Sequence, residues 1–448
     1  MTQEEGLMEK IVSLCKRRGF VYQGSEIYGG LAGIYDYGPM GVELRHNIKQ
    51  HFWNEFIAKR DDVYGMSAAI LMSARVWKAS GHTESFTDPL VECNICHERF
   101  RADQPESIAE HERSHKNKKV EWSTPEAFNL LVGTHLGASD KTATSAYLRG
   151  EITQGVQVNF KNVLDSMHPK LPFGIGQIGK AFRNEIAPRD FLFRQREFEQ
   201  MELQYYIRPD EEEGEKQFEY WKQLSFDWYI SLGFDKSHLR FRQHASDERA
   251  HYAKDAWDIE YESPMGWKEA WGIHHRGDWD LRRHQEYSGV SMEYTDPETG
   301  GKLLPWDIEC SGGVDRAVLF VLLDAYREDE LGGEKRVYLA LAPHIAPVKA
   351  AVFPLLKNKP ELVAKAREVY TMLKKEIPQI MWDDNGNIGK RYRRQDEIGT
   401  PFCITIDFDT LGETADLKDT VTLRDRDTGE QERVSVGDLV SMLKAKIS

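Results

Sequence analysis

AFRNEIAPRDFLFRQREFEQMELQYYI, residues 181–207, decides the fold, because it has the pattern of two strands joined by an arginine-bearing loop. Side chains alternate between the two faces of a strand, so Phe198 and Glu202 share one face of the second strand. Arg183 belongs to the first strand, and Arg194 follows in the loop. Flexible guanidinium groups bind polyphosphates well. The stretch therefore predicts a nucleotide site built on a hairpin, without a glycine-rich loop.

The alternative to a nucleotide site is an amphipathic hairpin whose charges are simply solvated. Two other segments help to decide between these interpretations. Downstream, ECSGGVDR (residues 309–316) leads into the apolar helix AVLFVLLDAY, so Arg316 lies near a helix N-terminus, where backbone N–H groups favour anions. Upstream, YDYGPMG (residues 35–41) precedes an amphipathic helix predicted over Val42–Phe56. Arg189 adds a second cation to the loop. Together these segments favour the nucleotide site.

In this order the three segments resemble motifs 1, 2 and 3 of the class II aminoacyl-tRNA synthetases. Longer stretches are similar to the glycyl-tRNA synthetases of the single-polypeptide, dimeric type, namely YDYGPMGVELRHNI, FRNEIAPRDFLFRQREFEQMELQYY, GWKEAWGIHHRGDWDLRRH and KRYRRQDEIGTPFCITIDFDTL. The resemblance covers nearly the whole chain. It implies an α+β fold, with an antiparallel-sheet catalytic core that carries an inserted subdomain and is followed by an α/β anticodon-binding domain.

The same resemblance implies an activity: ATP-dependent attachment of glycine to the 3′ end of tRNA(Gly) through a glycyl-adenylate, in a homodimer. Two alternatives remain open. A class II synthetase for another amino acid would share the ATP residues, and a non-catalytic, nucleic-acid-binding paralogue would share the fold. Paralogues of that kind lose phosphate-binding arginines, whereas Arg183, Arg194 and Arg316 are all present.

The implied chemistry is attack by a glycine carboxylate on the α-phosphorus of ATP, which needs positioning and countercharge rather than a side-chain nucleophile. By resemblance, Arg183 holds the α-phosphate, Arg194 the β- and γ-phosphates, and Arg316 the γ-phosphate, so these three are the implied catalytic residues. Phe198 stacks on adenine, and Glu269 meets ATP or Mg²⁺. The implied ATP-binding set is Arg183, Asn184, Glu185, Phe193, Arg194, Gln195, Arg196, Glu197, Phe198, Glu269, Ala270, Gly313, Val314, Asp315 and Arg316.

For glycine, the resemblance implies a cluster of Glu151, Glu202 and Glu309, with Arg276 as a further polar contact. Carboxylates around one ammonium favour its binding and crowd out larger side chains. The usual LRPETAQG reads LRGEITQG at residues 148–155, which keeps the carboxylate but changes its neighbours. The implied glycine-binding set is Arg101, Glu151, Phe198, Glu199, Gln200, Met201, Glu202, Arg276, Glu309, Cys310, Ser311, Gly312 and Gly313.

A candidate metal site lies in the predicted insertion. Cys93 and Cys96 have the spacing of a zinc knuckle, and His111 and His115 supply a second pair of ligands. Many relatives have a second cysteine pair instead. Either the histidines replace those cysteines and the segment 93–115 binds zinc, or the pair is two reduced thiols. The five cysteines of the chain are scattered, which argues against a disulfide framework.

The predicted domains are a catalytic domain at 1–330 with an insertion at about 63–150, a charged linker at 331–336, and an anticodon-binding domain at 337–448. Strand-like segments are expected from Val156 into the hairpin. Further expectations are a loop or helix start at 210–213, strands at 337–341, 377–382 and 402–408, a helix at 361–376, a hairpin turning at 427–429, and a terminal helix.

Charge limits the partners, because 59 basic against 73 acidic residues give a net charge of −14. This argues against indiscriminate binding to nucleic-acid backbones and predicts a local basic patch for tRNA. The run KRYRR, residues 390–394, interleaves cations with a ring on a predicted helix and is one candidate; a solvated helix face is the alternative. With no membrane-length apolar run and no signal peptide at MTQEEGLMEK, the expected location is the cytoplasm.

Overall fold

The structure is a computed structural model, and it describes residues 5–116, 118–137, 143–186, 188, 190–245 and 254–447. The predicted loop cation Arg189 lies outside these residues. Within the described ranges, no helix has the length and apolar character needed to cross a membrane.

The elements divide into four consecutive groups. The amino-terminal group comprises α1 (Glu5–Arg18), β1 (Val21–Gln23), β2 (Tyr35–Tyr37), α2 (Pro39–Trp53), a π-helical turn (Asn54–Ala58) and β3 (Val63–Gly65). The inserted group comprises β4 (Leu71–Ser73), α3 (Ala74–Ala79), α4 (His82–Ser85), β5 (Thr87–Glu92), β6 (Arg99–Arg101), α5 (Pro105–Ser114), β7 (Glu126–Asn129), β8 (Val132–Leu136) and β9 (Thr144–Leu148).

The core and carboxy-terminal groups follow. The core group comprises α6 (Thr153–Gln157), α7 (Phe160–Met167), β10 (Phe173–Phe182), β11 (Glu197–Ile207), α8 (Glu211–Ser231), β12 (Leu239–Gln243), β13 (Asp255–Ser263), β14 (Gly266–Gly277), α9 (Trp279–Ser288), β15 (Tyr294–Thr295), β16 (Lys302–Leu303), β17 (Trp306–Gly313) and α10 (Val314–Ala325). The carboxy-terminal group comprises β18 (Tyr326–Leu331), β19 (Glu334–Leu339), β20 (Ala350–Pro354), α11 (Pro360–Glu376), β21 (Ile380–Trp382), α12 (Ile388–Ile398), β22 (Phe402–Ile406), α13 (Phe408–Leu411), β23 (Thr420–Asp425), β24 (Gln431–Ser435) and α14 (Leu439–Ile447).

A seven-stranded sheet organises the core in the order β12-β13-β14-β17-β11-β10-β3. Its pairs are antiparallel except β10 with β3. The predicted hairpin is β10 and β11, and β17 lies directly beside it, with Glu202 opposite Ser311. The sheet thus brings together two segments that are separated by about a hundred residues in the sequence. The α+β prediction is confirmed.

Helices cover one face of this sheet. Every residue of α10 except Arg316 is buried, which leaves that side chain in the first turn as the one that reaches outward. On α8, Trp221 and Trp228 pack around Phe56 and Trp271 with ring centroids 5.4–6.1 Å apart. Because aromatic rings bury a large area each, this layer fixes the sheet and leaves its other face for a site.

The carboxy-terminal group forms a second sheet, β21-β20-β22-β23-β24, with a hydrophobic core of its own between Ala350 and Leu443. Residues 331–336, predicted as a linker, span the end of β18, a turn at Gly332 and Gly333, and the start of β19. Arg336 is buried there and donates to Asp329, which holds the hairpin together. The domain boundaries themselves stay a prediction.

Most of the expected elements are present, including the helix start at Glu211, where Asp210 is the N-cap. One expectation is wrong: residues 153–167 are helical rather than strand-like. Their buried apolar residues Val156, Phe160 and Leu164 recur every four positions. A repeat of four residues matches one face of a helix, and this period outweighs the β-propensity of valine and phenylalanine.

Candidate active site

A cavity of about 320 Å³ opens beside the β10–β11 hairpin. Its walls come from the insertion, the hairpin, the end of β17 and the first turn of α10. The insertion contributes Ser85, Phe86, Thr87, Asp88, Arg101 and Leu130. From the predicted ATP-binding set, the residues in its wall are Arg183, Glu185, Phe193, Arg194, Gln195, Phe198, Glu269, Gly313, Asp315 and Arg316.

Arg183 lies between two aromatic rings in this cavity. Its Cζ atom is 5.1 Å from the ring centroid of Phe86 and 5.2 Å from that of Phe198, and its Nε donates to the Gly150 carbonyl at 3.1 Å. Burial lowers the pKa of Arg183 from its usual range. A guanidinium that is desolvated but faces a cavity binds an anion more strongly than one in water.

Arg194 and Glu185 each keep an unused polar atom at the cavity. Within the described part of the chain, Arg194 Nη1 and Glu185 Oε2 are buried without a hydrogen-bond partner. Burial also raises the pKa of Glu185. Because buried polar groups are normally satisfied, these two atoms fit an incoming phosphate and a cation that accompanies it.

Arg316 closes the opposite wall. Its Cζ atom lies 4.4 Å from the ring centroid of Phe193, and its Nη1 is 3.2 Å from Glu269 Oε2. The charge of Arg316 is the main reason that the pKa of Glu269 is lowered. With Arg101, four arginines therefore line the cavity, and the carboxylates of Asp88, Glu185, Glu269 and Asp315 in the same wall balance their charge in part.

Five predicted ATP-binding residues lie outside the cavity wall: Asn184, Arg196, Glu197, Ala270 and Val314. Arg196 instead donates to the carbonyls of Glu185 and Ala32, at 3.0 and 3.1 Å, and ties the hairpin to the amino-terminal loop. Ala270 and Val314 are buried in the hydrophobic core.

Behind this cavity, the predicted glycine residues form a buried polar cluster. Arg276 Nη1 donates to Glu309 Oε2 at 2.8 Å, and Ser311 Oγ donates to Glu309 Oε1 at 3.1 Å. Glu202 is adjacent, and Gln204 Nε2 donates to both carboxyls, at 2.5 Å to Glu202 and 3.1 Å to Glu309. Gln200, Ser311 and Gly312 connect this cluster to the cavity, because all three line the cavity wall.

The three carboxyls of the cluster differ in ionisation. Burial, followed by the charges of Glu309 and Glu151, raises the pKa of Glu202 well above its usual range. Burial would also raise the pKa of Glu309, but Arg276 and His274 outweigh it and lower that pKa. Burial is likewise outweighed at Glu151, where His82 and then Arg276 lower the pKa to about 2. The carboxyl of Glu202 therefore binds a proton more readily than the carboxyls of Glu151 and Glu309, whose cationic neighbours favour the ionised form.

Three predicted glycine-binding residues face the other side of the sheet: Glu199, Met201 and Cys310. Glu199 pairs with Arg45 at 3.1 Å and with Lys49 at 3.0 Å, both on α2, while Met201 and Cys310 are in the hydrophobic core. Strand alternation requires this, since their neighbours in β11 and β17 face the cavity. A role for these three in binding glycine stays a prediction and would have to involve their backbone.

Sequence reasoning missed several residues of the insertion that reach the site. His82 Nε2 lies 3.3 Å from Glu151 Oε1, and Asp88 Oδ2 accepts from Arg101 Nη1 at 2.5 Å. Phe86 packs on Arg183, as described above. The insertion has no helical or strand periodicity of useful length in this part, so nothing in its sequence pattern marked these side chains.

The four predicted metal ligands lie together in the insertion. The ligand atoms of Cys93, Cys96, His111 and His115 are all within 4.8 Å of one another, with the two Nε2 atoms 3.0 Å apart. Backbone N–H groups offset the effect of burial and lower the pKa of the Cys93 thiol to about 7. Glu98 Oε2 lies 3.4 Å from the Nδ1 atom of His111, which is the outer partner typical of a metal-bound histidine.

The predicted anticodon run in α12 gives a different result. Arg391 is buried and donates to the carbonyls of Pro354, Asp384 and Gly386. It is therefore a structural residue, and its expected contact with tRNA phosphate is wrong. Of its neighbours, Arg394 pairs with Asp383 at 2.8 Å.

Comparisons with known families and proteins agree with this geometry. Residues 138–394 match the family model described as tRNA synthetase class II core domain (G, H, P, S and T). Residues 349–446 match a second model, described as anticodon binding domain.

Three relatives are similar over nearly their whole length. A glycine–tRNA ligase from Caldanaerobacter subterraneus subsp. tengcongensis is 48% identical, covering 98% of each chain. One from Treponema denticola is 48% identical over 98% of this chain and 97% of its own. One from Clostridium acetobutylicum is 47% identical over 99% of this chain and 100% of its own. The chain therefore belongs to the glycine–tRNA ligase family of the class II aminoacyl-tRNA synthetases.

Proposed function

We propose that this chain attaches glycine to the 3′ end of tRNA(Gly) in two steps, through a glycyl-adenylate. The observation that carries the proposal is an arginine-lined cavity whose wall leads, through Gln200 and Ser311, to the buried polar cluster around Glu309. We assign ATP to the cavity and the glycine ammonium to the cluster. The alternative of a non-catalytic paralogue receives no support.

In the first step, the glycine carboxylate attacks the α-phosphorus and pyrophosphate leaves. We assign the α-phosphate to Arg183, the β- and γ-phosphates to Arg194 and the γ-phosphate to Arg316, which counter the charge that develops in the transition state. Phe198 would stack on adenine. Mg²⁺, when bound, supplies further countercharge, and the free oxygen of Glu185 and the carboxylate of Glu269 are suitable ligands.

Selection for glycine rests on exclusion, since a pocket gains little from a missing methyl group. The ionised carboxylates of Glu151 and Glu309 would hold the ammonium. Arg276 Nη1 donates to Glu309 Oε2 at 2.8 Å and favours the ionised carboxylate. Ser311 Oγ donates to the second oxygen, Oε1, at 3.1 Å. In the second step the terminal tRNA adenosine attacks the adenylate, and Glu202 and the phosphates are the nearest proton acceptors that we propose.

The remaining assignments follow from the family. We propose a catalytic domain at 1–330 with its insertion at about 63–150, a linker at 331–336 and an anticodon-binding domain at 337–448. On the same basis we propose a homodimer formed through the region around Pro39. We also propose tRNA(Gly) as the partner and the cytoplasm as the location. Arg101, held by Asp88 at 2.5 Å, is assigned to the substrate side of the cavity.

Amino-acid-dependent exchange of pyrophosphate into ATP, measured with each of the twenty amino acids, tests the proposal. Glycine alone should support exchange, and the same protein should charge tRNA(Gly) with glycine. Exchange with a different amino acid would reassign the pocket. Absence of exchange with all twenty, in protein that binds ATP, would favour the paralogue.

We further propose that Cys93, Cys96, His111 and His115 bind one structural zinc ion. Purified protein should contain about one zinc per chain, and Cys93→Ser and His111→Ala should each remove it. Because a metal in such a knuckle supplies folding energy to its loop, chelation should make residues 89–120 sensitive to protease. Zinc retained in both variants would mean other ligands, and metal-free protein with full activity would mean that the thiols are relics.

A further inference from the structure

Thr153 is the first residue of α6, and its hydroxyl has an unusual hydrogen-bond partner for this position. The N-terminus of this helix is not capped by a side chain. Thr153 is buried, and its hydroxyl points away from the helix to donate to Glu309 Oε2 at 3.3 Å. Near a helix start, a threonine hydroxyl usually satisfies local backbone groups. Here it is committed to a carboxylate of another element instead.

The carboxylate it contacts belongs to a pair of buried acids. The Thr153 hydroxyl is also within hydrogen-bonding reach of Glu202, although its single hydrogen serves one carboxyl at a time. Gln204 lies on β11, and its side-chain amide donates to the same two carboxyls. Two like groups buried together are unfavourable unless donors fill the space between them. Thr153 and Gln204 are therefore the two donors that bracket the pair.

We propose that Thr153 is a positioning residue for glycine, whose hydroxyl fixes the orientation of Glu309 beside Glu202. This inference rests on the proposed function. It goes beyond the LRPETAQG pattern, which has alanine at position 153. The hydroxyl adds to Glu309 a donor that an alanine side chain lacks, next to the contacts from Arg276 and Ser311.

The test compares Thr153→Val, which keeps the shape, with Thr153→Ser, which keeps the hydroxyl. In exchange assays, Thr153→Val should raise the KM for glycine about 10-fold and leave the KM for ATP unchanged, as for one lost hydrogen bond to a charged group. Thr153→Ser should restore the KM for glycine.

Three outcomes would overturn the inference: unchanged glycine kinetics in Thr153→Val, equal losses for glycine and ATP, or failure of serine to restore the KM for glycine. Thermal unfolding of both variants identifies a loss that comes from misfolding, and Thr153→Ser still decides the question if the valine variant does not fold. If the unchanged chain fails to exchange with glycine, the proposed function fails as well; if it exchanges and only the variants behave otherwise, this inference fails alone.

Discussion

Two arginine-rich regions of this chain look alike in sequence and differ in structure. In the active-site cavity, Arg194 keeps a buried Nη1 atom that has no partner among the described residues. In α12, Arg391 directs its guanidinium to three backbone carbonyls, and Arg394 pairs with Asp383. The first region holds cations for a ligand, whereas the second uses them to hold its own loop in place.

The lesson is that a run of cations does not by itself identify a nucleic-acid site. What separates the two regions is the terminal guanidinium nitrogens: Arg194 Nη1 has no partner among the described residues, whereas both Nη atoms of Arg391 donate to carbonyls and only its Nε is left without a partner. Guanidinium groups are the best side chains for both tasks, because one planar fork serves phosphate and carbonyl groups alike. Single substitutions in the two regions test this difference.

The largest effect is expected from the cavity arginines. Arg183→Ala or Arg316→Ala should lower the rate of glycyl-adenylate formation at least ~10²-fold, because each removes a charge-assisted contact in the transition state. Pyrophosphate exchange measures this rate. The free energy of unfolding and the affinity for tRNA should stay nearly unchanged. Arg394→Ala is the matched control, and near-normal exchange in both cavity variants would remove the assignments of motifs 2 and 3.

The next effect separates two buried acids. Glu309→Gln should lower kcat/KM for glycine by about 10²-fold, because it removes an ionised carboxylate that Arg276 contacts. Glu202→Gln should cost less than about 10-fold, since burial and the neighbouring carboxylates raise the pKa of Glu202 and glutamine has the same shape. The KM for ATP should be normal in both. Equal losses in the two variants would contradict the opposite directions of the two pKa shifts.

The sequence predicts the scaffold of this site well, for a physical reason. β10 and β11 carry a two-residue alternation, so Phe198 and Gln200 could be assigned to one face before the structure was considered. The same alternation also placed Glu199 and Met201 on the opposite face, although the motif as a whole was assigned to glycine. Local periodicity is thus the better guide to which side chains reach the cavity.

Contacts between distant elements were not predictable in this way. Thr153 and His82 reach the glycine cluster from α6 and α4, and their roles depend on how those helices pack against the sheet. Arg391 was misassigned because its partners are backbone carbonyls, which carry no sequence signal. A residue type can be read from sequence, but whether its polar atoms are already satisfied depends on tertiary structure.

In α12, an arginine substitution should change the stability of the protein rather than its reaction kinetics. Arg391→Ala leaves buried carbonyls unsatisfied and should lower the free energy of unfolding of the carboxy-terminal domain by about 2–4 kcal/mol. Arg394→Ala, at a partly exposed ion pair, should cost no more than about 1 kcal/mol. Denaturant titration followed by tryptophan fluorescence measures both. Exchange rates should be unchanged, so a kinetic defect in Arg391→Ala without loss of stability would return this residue to a ligand-binding role.

The smallest effect concerns Lys390, an exposed residue at the start of the run. If α12 meets the tRNA backbone at all, this side chain is the cation best placed to do so, because its neighbour Arg391 is buried. Lys390→Ala should raise the KM for tRNA by no more than about 3-fold and reduce the salt dependence of tRNA binding by about one counterion. Aminoacylation at several salt concentrations measures both quantities, with Lys375→Ala on the exposed side of α11 as the control. Identical salt slopes in Lys390→Ala and the unchanged chain would exclude a phosphate contact by Lys390 and leave α12 as a structural helix, whereas a loss of 10-fold or more would show that the region combines both uses of its cations.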